Sequence, residues 1–228
     1  MTNIFKIIFF VSLALSIDEA LLYDLNFRGF NAGESILSIK EDSTETGINY
    51  HLTSIIKTNK LLDRIYKIRD RVDVILNNTD YSLIKVVKKL NQGGKKTTFN
   101  SIINQENLTA VSNNKTISIP GKVLDPLGAI YYLRNQNIKI GDTFEFTTYD
   151  NDKLKDLIII AKGIETISTS IGNVECIVLS PQTKDGKLLK NKGTMTLWIS
   201  NDSKKIPIQI ENRTNVGKML MKLKNIKQ

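Results

Sequence analysis

Two side chains that could form a nucleophile and base pair, a thiol and an imidazole, each occur once in the chain. Cys176 is the only cysteine and His51 the only histidine. Such a pair attacks carbonyl groups only when a third group holds the imidazole beside the thiol. Cys176 lies in the mostly apolar stretch Val174–Leu179, and His51 lies in the alternating stretch Tyr50–Thr53. Both surroundings are typical of strands, so the pattern favours a buried structural thiol and predicts no catalytic pair.

Carboxylates that follow one another closely could act as acid and base or bind a metal. Each pair here lies near a terminus or in a polar stretch typical of a turn, which favours solvated side chains. The stretch 150–152 resembles the start of a calcium loop, but the glycine and the closing glutamate of that loop are missing. Phosphate-binding glycine loops and the HExxH and GxSxG motifs are also missing from the sequence. The sequence therefore predicts no catalytic residue, no metal site and no cofactor, and disfavours an enzyme. The pairs are Asp18 with Glu19, Glu41 with Asp42, and Asp150 with Asp152.

The remaining candidates are side chains that bind rather than react. Tyr131, Tyr132 and Arg134 stand together in one segment, and Trp198 is the only tryptophan. Large aromatic side chains contribute mainly by burial, so Trp198 is either a core anchor or a residue at the mouth of an apolar cavity. These four residues are the candidate binding site.

Four further residues have structural roles in this interpretation. Asp125 and Pro126 match the N-cap and first position of a helix. Asp202 lies in a polar turn between two strands, and Pro207 lies in the second of them.

Alternation of apolar and polar residues dominates the chain, and glycine, Asn-Asn and Asp-Asn sequences interrupt it. This pattern predicts many short antiparallel strands with one wet face. The predicted strands cover 21–27, 34–40, 48–57, 66–76, 81–90, 95–103, 109–119 with a break at 113–114, 143–149, 154–167, 172–179, 193–200, 206–212 and 218–223.

Helical spacing occurs in two places. Thr58–Ile65 predicts two helical turns, and Asp125–Asn135 predicts a helix with Leu127, Ile130, Tyr131 and Leu133 on one side. The predicted fold is mainly β: a curved antiparallel sheet, or an open or closed β-barrel-like domain, with one or two short helices. The second helix would cover an open edge or plug the concave side.

The N-terminus has the composition of a secretory signal peptide. Lys6 precedes the apolar run Ile7–Leu15, and Ala14 and Ser16 are the small residues that signal peptidase selects. The run is much shorter than the roughly 20 residues that span a bilayer. We therefore expect export, removal of residues 1–16, and a single β-rich domain over 17–228 without a transmembrane segment.

The net charge is +9, and the basic residues are scattered as pairs among acidic ones. A basic surface attracts anionic partners such as phospholipid head groups. Without a continuous basic block, the pattern predicts a solvated basic protein that does not bind nucleic acid.

Three segments occur in a fixed order along the chain: Tyr23–Leu25 with Gly29 and Ala32–Glu34, then Asp125–Arg134, and then Leu197–Asp202 through Ile206–Ile208 to Gly217. Together they resemble the exported bacterial family called domain of unknown function 3108. Gly128 stands where the family pattern would have serine. The resemblance implies export to a bacterial envelope and a β-rich fold, and it transfers no catalytic residue.

These observations lead to one main hypothesis and two alternatives. The main hypothesis is a non-enzymatic protein in the periplasm of a Gram-negative bacterium, soluble or peripheral to a membrane, that binds a lipid or other apolar or amphipathic envelope component in the concavity of its sheet. The first alternative is a structural module that docks on another envelope protein. The second is an envelope hydrolase, for which the sequence offers no nucleophile or carboxylate pair.

Overall fold

The structure is a computed structural model that describes residues 18–44, 47–113, 115–183, 193–215 and 217–227. The predicted signal peptide, residues 1–16, lies outside the described residues. Within the described part of the chain, no helix has the length and apolar character needed to cross a bilayer.

Fourteen strands and two short helices make up the described fold, which confirms the predicted mainly β class. The predicted break at 113–114 separates two strands, β7 and β8. The strand predicted from Tyr66 begins only at Arg69, because Tyr66 and the two residues after it form an irregular connection. The elements are β1 Asp18–Phe27, β2 Phe30–Thr44, β3 Gly47–Thr58, α1 Lys60–Asp63, β4 Arg69–Asn77, β5 Leu83–Gln92, β6 Lys95–Asn104, β7 Thr109–Ser112, β8 Thr116–Ser118, α2 Pro126–Arg134, β9 Thr143–Asp150, β10 Lys153–Thr169, β11 Gly172–Thr183, β12 Thr194–Ser200, β13 Pro207–Thr214 and β14 Gly217–Lys227.

All fourteen strands form one antiparallel sheet in the order β8-β7-β6-β5-β4-β3-β2-β1-β14-β13-β12-β11-β10-β9. Strands that follow one another in sequence are neighbours, except for β8 and β9, which lie at opposite edges, and β1 pairs with β14 in the middle of the sheet. In that pair Tyr23 lies opposite Leu223. The two edges are the short strand β8 and strand β9.

The sheet curls strongly on the β9–β14 side. Ser170, in the turn between β10 and β11, donates its hydroxyl to the Lys224 carbonyl of β14 at 2.6 Å. Three strands separate β10 from β14 in the sheet order, so this contact requires the sheet to bend back on itself. Such curvature gives an open, barrel-like shape.

A single extended segment bridges the gap between the two halves of the curled sheet. Leu124 pairs in parallel with Thr148 of β9, and the Tyr149 N–H donates to the Leu124 carbonyl at 2.9 Å. On the other side, the Leu83 N–H at the start of β5 donates to the Val123 carbonyl at 2.8 Å. We call this region, where residues 123–125 lie between β5 and β9, the seam.

The hydrophobic interior consists of a large and a small cluster that share strands β11 and β12. In β11, Cys176 and Val178 belong to the large cluster, whereas Ile177 and Leu179 belong to the small one. Successive side chains point to opposite faces of a strand, so this part of the sheet is covered on both faces. Helix α2 contributes to both clusters, with Tyr131 in the large cluster and Leu133 in the small one.

Candidate functional site

Helix α2 forms where the sequence predicted it, directly after the seam. The Asp125 carboxylate accepts the Leu127 N–H at 2.7 Å, as an N-cap does, and Pro126 occupies the first turn. The buried residues of the helix are Gly128, Ala129, Tyr131 and Leu133. Leu127 and Ile130, which the sequence placed on the buried side, are only half buried.

Gly128 packs closely against the sheet. A Cβ atom at this position would lie 3.0 and 3.2 Å from the two Cδ atoms of Leu76 on β4. These distances are shorter than ordinary van der Waals contact, so a serine here would force the leucine to shift. The glycine therefore lets α2 approach β4 more closely than a serine-containing helix could.

Arg134, in the last turn of α2, attaches the helix to the beginning of β1. Its guanidinium donates to both carboxylate oxygens of Glu19, at 2.6 and 3.0 Å, and to the Lys204 carbonyl at 3.2 Å. Both side chains of the ion pair are 11% exposed. A bidentate pair in this environment fixes the orientation of the guanidinium strongly.

Tyr131 lies directly beside this ion pair. The Arg134 guanidinium carbon is 4.9 Å from the centre of its ring, a cation–π distance. The Tyr131 hydroxyl is buried and makes no hydrogen bond of ordinary geometry among the described residues, although the Arg134 guanidinium lies close enough to interact with it. Burial raises the pKa of this phenol well above its ordinary value, and the positive charge of Arg134 opposes the rise. The hydroxyl is thus a neutral, buried polar group without a well-formed hydrogen bond, and it lies next to the charges of Arg134 and Glu19.

Tyr132 lies on a different face of helix α2 and is half buried. Its ring meets Phe146 of β9 edge to face, with ring centres 5.7 Å apart. It packs against both hydrophobic clusters.

Trp198 lies on β12 and is buried, with 8% of its surface exposed. Its indole N–H donates to the Glu165 carboxylate at 2.8 Å. It belongs to the same large cluster as Tyr131, but among the described contacts its polar partner is on β10 rather than on α2. The four candidate residues therefore divide into Tyr131 and Arg134, which touch, and Tyr132 and Trp198, whose described ring and polar contacts are with Phe146 and Glu165.

Asp202 lies between β12 and β13, and Pro207 is the first residue of β13. One Asp202 carboxylate oxygen accepts the Ser200 hydroxyl at 2.8 Å and the Lys204 and Lys205 N–H groups at 2.9 and 3.0 Å, which closes the turn between β12 and β13. The Pro207 carbonyl accepts the buried Tyr23 hydroxyl at 2.8 Å.

The two residues considered as a nucleophile and base pair have unrelated surroundings. His51 Nε2 lies 3.1 Å from the Asp73 carboxylate on β4. Cys176 is fully buried, and burial raises the pKa of its thiol to about 11, with further increases from nearby carboxylates. A thiol in this state is a poor nucleophile.

The seam holds a polar cluster that sequence analysis missed. Lys88 of β5 pairs with Asp150 at the end of β9, and the Tyr149 hydroxyl lies 2.8 Å from the Ser101 hydroxyl of β6. Burial raises the pKa of Asp125 to about 6, although Lys88 opposes the rise. These residues are far apart in sequence, so no local spacing could have indicated the cluster.

Open clefts occur on the outer surface near β3 and β4. Two of them have volumes of about 190 and 250 Å³, and both are lined by Lys57 and Arg69. Neither is lined by α2. Among the described residues, no group of three or more His, Cys, Asp or Glu side chains is arranged to hold a metal ion.

Comparison with known protein families identifies the family of this chain. A family described as "Protein of unknown function (DUF3108)" matches residues 22–224. The chain belongs to this family. The DUF3108 match spans β1 to β14 and includes the seam, α2 and all four candidate binding residues.

The fold of this DUF3108 chain is similar to that of a solved structure from Brucella abortus. That structure is a β-barrel-like protein of domain of unknown function DUF1849, with a TM-score of 0.60 and 9% sequence identity. The match covers 92% of this chain and 97% of the other. At this identity the similarity concerns the fold alone. No curated protein matches the DUF3108 chain.

Proposed function

We propose that this chain is a non-enzymatic binding protein of the bacterial envelope, and that it takes up an apolar or amphipathic molecule beneath helix α2. The observation that supports this most is the buried Tyr131 hydroxyl, which lacks a well-formed hydrogen bond, beside the Arg134–Glu19 ion pair. An unsatisfied buried polar group costs about 1–3 kcal/mol, so it is retained only against a persistent stability cost. A ligand with a polar end group would satisfy it.

The hydrophobic clusters would receive the apolar part of the ligand. Tyr131 of α2 belongs to the large cluster and Leu133 to the small one, and half-buried Ile130 and Tyr132 extend the apolar surface. Ligand pockets of this kind are mainly apolar with a few placed polar groups. Because α2 fills this space in the described structure, binding requires the helix to move away from the sheet.

The Arg134–Glu19 pair would then control ligand entry. It is the contact that ties the C-terminal end of α2 to β1, and it breaks when this end of the helix moves. A ligand shifts the equilibrium toward the displaced helix only by the free energy with which it binds that state more tightly than the closed one.

The test is a direct measurement of bound and added ligand. The purified full chain is extracted with organic solvent and the extract is examined by mass spectrometry, and the extracted protein is then titrated with anthroyloxy-stearic acid, whose fluorescence rises on burial. We expect an extractable amphipathic compound and saturable probe binding. Protein that yields no such compound and gives no saturable fluorescence change would overturn the proposal.

Matched tyrosine variants locate the site. Tyr131→Phe should weaken binding of the probe about tenfold, because the variant cannot donate a hydrogen bond to the carboxylate of the probe. Tyr132→Phe, the neighbouring residue on the same helix, should bind as the unchanged protein does. Equal affinities for all three proteins would place the ligand elsewhere.

Export to the periplasm is the second part of the proposal. It rests on the composition of residues 1–16, which is that of a secretory signal peptide. Fractionation of cells that express the chain with a C-terminal tag tests it. We expect a mature form in the periplasmic fraction that begins after Ser16, and a cytosolic full-length chain would contradict it.

A further inference from the structure

One end of the sheet carries several chain connections that lie close together. The β1–β2 turn meets the β3–β4 connection, where the Asn59 side chain donates to the Asn31 carbonyl at 2.7 Å. That connection also meets the β5–β6 turn, where the Gly93 N–H donates to the Lys67 carbonyl at 2.9 Å. We call this end, formed by residues 28–31, 59–68 and 93–96, the tip.

The tip exposes large apolar side chains. Phe30 is 77% exposed, Leu61 69% and Ile65 80%, and Tyr66 lies half exposed against Gly93. Apolar side chains exposed singly are common on protein surfaces, but several on adjoining turns form a patch. Such patches mark sites that contact another apolar surface.

Basic side chains surround this patch. Lys60, Arg64 and Lys67 are exposed and form no ion pair with the described residues, and Lys95 and Lys96 are exposed at the start of β6, next to the β5–β6 turn. Asp63, the acidic residue within 59–68, is bound by Arg69 at 2.6 Å. Hydrogen bonds from Arg69 and Thr58 hold the pKa of Asp63 below its ordinary value against a smaller opposing effect of burial, so Asp63 stays ionised and paired. The tip therefore presents apolar side chains within an excess of positive charge.

The geometry points to the tip as a surface that docks on an anionic phospholipid bilayer, with the apolar side chains entering the interface and the basic ones contacting the head groups. Exposed apolar residues bordered by Lys and Arg are the combination that interfacial membrane binding uses. The positive charge favours an anionic bilayer over a neutral one, because a basic surface is attracted to negative head groups.

This surface is separate from the proposed ligand site. Arg134 binds Glu19 near the start of β1, whereas Phe30 follows the end of the same strand. At about 3.4 Å per residue in an antiparallel strand, Glu19 and Phe27 lie roughly 27 Å apart along β1. Membrane docking and ligand binding can therefore fail independently.

Co-sedimentation with lipid vesicles tests the inference on the full chain. The vesicles contain phosphatidylglycerol mixed with phosphatidylcholine, or phosphatidylcholine alone. We expect binding to the mixed vesicles that weakens with added salt, and little binding to the neutral ones. Absence of binding to the mixed vesicles at low salt would overturn the inference.

Two sets of variants distinguish binding through the tip from binding that depends only on the total charge. Replacing Lys60, Arg64 and Lys67 with Gln should lower the partition coefficient by about a hundredfold, at roughly fivefold for each charge. Replacing exposed lysines away from the tip with Gln changes the net charge equally and should leave most of the binding. Equal losses in the two sets would contradict a localised surface. The control lysines are Lys40, Lys139 and Lys204.

The apolar contribution is tested in the same way. The combined change Phe30→Ser, Leu61→Ser and Ile65→Ser should reduce binding at least tenfold, whereas Ile140→Ser with Ile171→Ser, two exposed isoleucines outside the tip, should not. A single Phe30→Trp variant should show quenching by brominated phospholipid. If the serine variant keeps its vesicle binding but loses crosslinks to one envelope protein in cells, the tip binds protein and the inference is wrong.

Discussion

Arg134 and Glu19 form a bidentate ion pair that joins the last turn of α2 to the first described strand, across 115 positions of sequence. Both side chains are largely buried. A buried pair contributes little net stability compared with two apolar residues, but loss of one partner leaves an unpaired buried charge. The pair therefore specifies the position of α2 more than it strengthens the fold.

Removal of either partner should destabilise the protein strongly. We expect Arg134→Met to lower the free energy of unfolding by about 3–5 kcal/mol, because the Glu19 carboxylate is left without its cation. The double variant Arg134→Met with Glu19→Gln should recover much of this loss. Chemical denaturation of the four proteins measures the coupling, and additive losses would show that the two side chains act separately.

Stability should depend on the protonation of Asp125. Its pKa rises from 3.8 to about 6 on folding because the carboxyl is buried, and a carboxyl with a raised pKa favours folding in its protonated form. The stabilisation of the fold by the protonated carboxyl is complete below about pH 4 and is lost as the pH rises through about 6. The free energy of unfolding then falls by about 3 kcal/mol. Asp125→Asn keeps an N-cap residue and should become more stable relative to the unchanged protein as the pH rises from about 4 to 8.

Asp202 provides the control of opposite sign. Burial alone would raise its pKa, but hydrogen bonds from Ser200 and from the Lys204 and Lys205 N–H groups hold the pKa below its ordinary value. Its contribution to stability is therefore present at neutral pH and is lost on acidification. The Asp202→Asn variant should be less stable than the unchanged protein at neutral pH. The difference between their free energies of unfolding should shrink as the pH falls. The same pH trend for both variants would contradict these assignments.

Tyr131→Phe should leave the ligand-free protein as stable as before or more stable by up to about 1 kcal/mol, because the hydroxyl removed makes no well-formed hydrogen bond. Tyr23→Phe removes a hydroxyl that donates to the Pro207 carbonyl at 2.8 Å and should cost about 1 kcal/mol. Thermal unfolding of the extracted proteins compares the two. A destabilised Tyr131→Phe variant would mean that the hydroxyl has a stabilising partner.

Gly33→Ala should be among the most damaging small substitutions in the chain. Gly33 has a φ of +152°, and a Cβ here would lie 2.0 Å from the Lys57 carbonyl oxygen of β3. A backbone atom cannot move aside cheaply, so we expect a loss of more than about 2 kcal/mol. Gly163→Ala is the matched control, since its added Cβ meets nothing within 4 Å. Denaturant midpoints of the two variants should differ clearly.

The Cys176 thiol should resist modification in the folded protein. It is fully buried and its pKa is raised to about 11, so little thiolate is exposed at neutral pH. We expect its reaction with a disulfide reagent to proceed at the rate of unfolding and to accelerate with denaturant. Rapid labelling without denaturant would contradict the packing of β11.

The features that sequence predicted correctly depend on local patterns. Alternation revealed most strands, and Asp125 with Pro126 marked the start of α2, because caps and periodicity involve neighbouring residues. The same alternation misled at Tyr66, which continues the pattern of β4 but lies in the connection before it. The second strand, predicted to begin at residue 34, already begins at Phe30 in the structure, so the connection from β1 is shorter than predicted.

The relationships that build the candidate site are long-range and could not be read locally. Lys88 and Asp150 are 62 positions apart. Leu124, which forms the parallel bridge to Thr148 of β9, lies in a segment whose sequence does not alternate as a strand does. The sequence selected Tyr131 and Arg134 as binding candidates, but it gave no sign of Glu19 as the partner of Arg134. Pairing of distant charges depends on the curvature of the sheet, which no single segment encodes.

The pairing of β1 with β14 has a consequence for how the chain acquires its structure. Tyr23 and Leu223 are separated by 200 positions, yet they face each other at the centre of the sheet. The meander β1–β8 and the meander β9–β14 can each form from neighbouring hairpins, which are quick to close. The central pair must wait for the whole polypeptide, so we expect the last and slowest folding step to be the union of two preassembled halves.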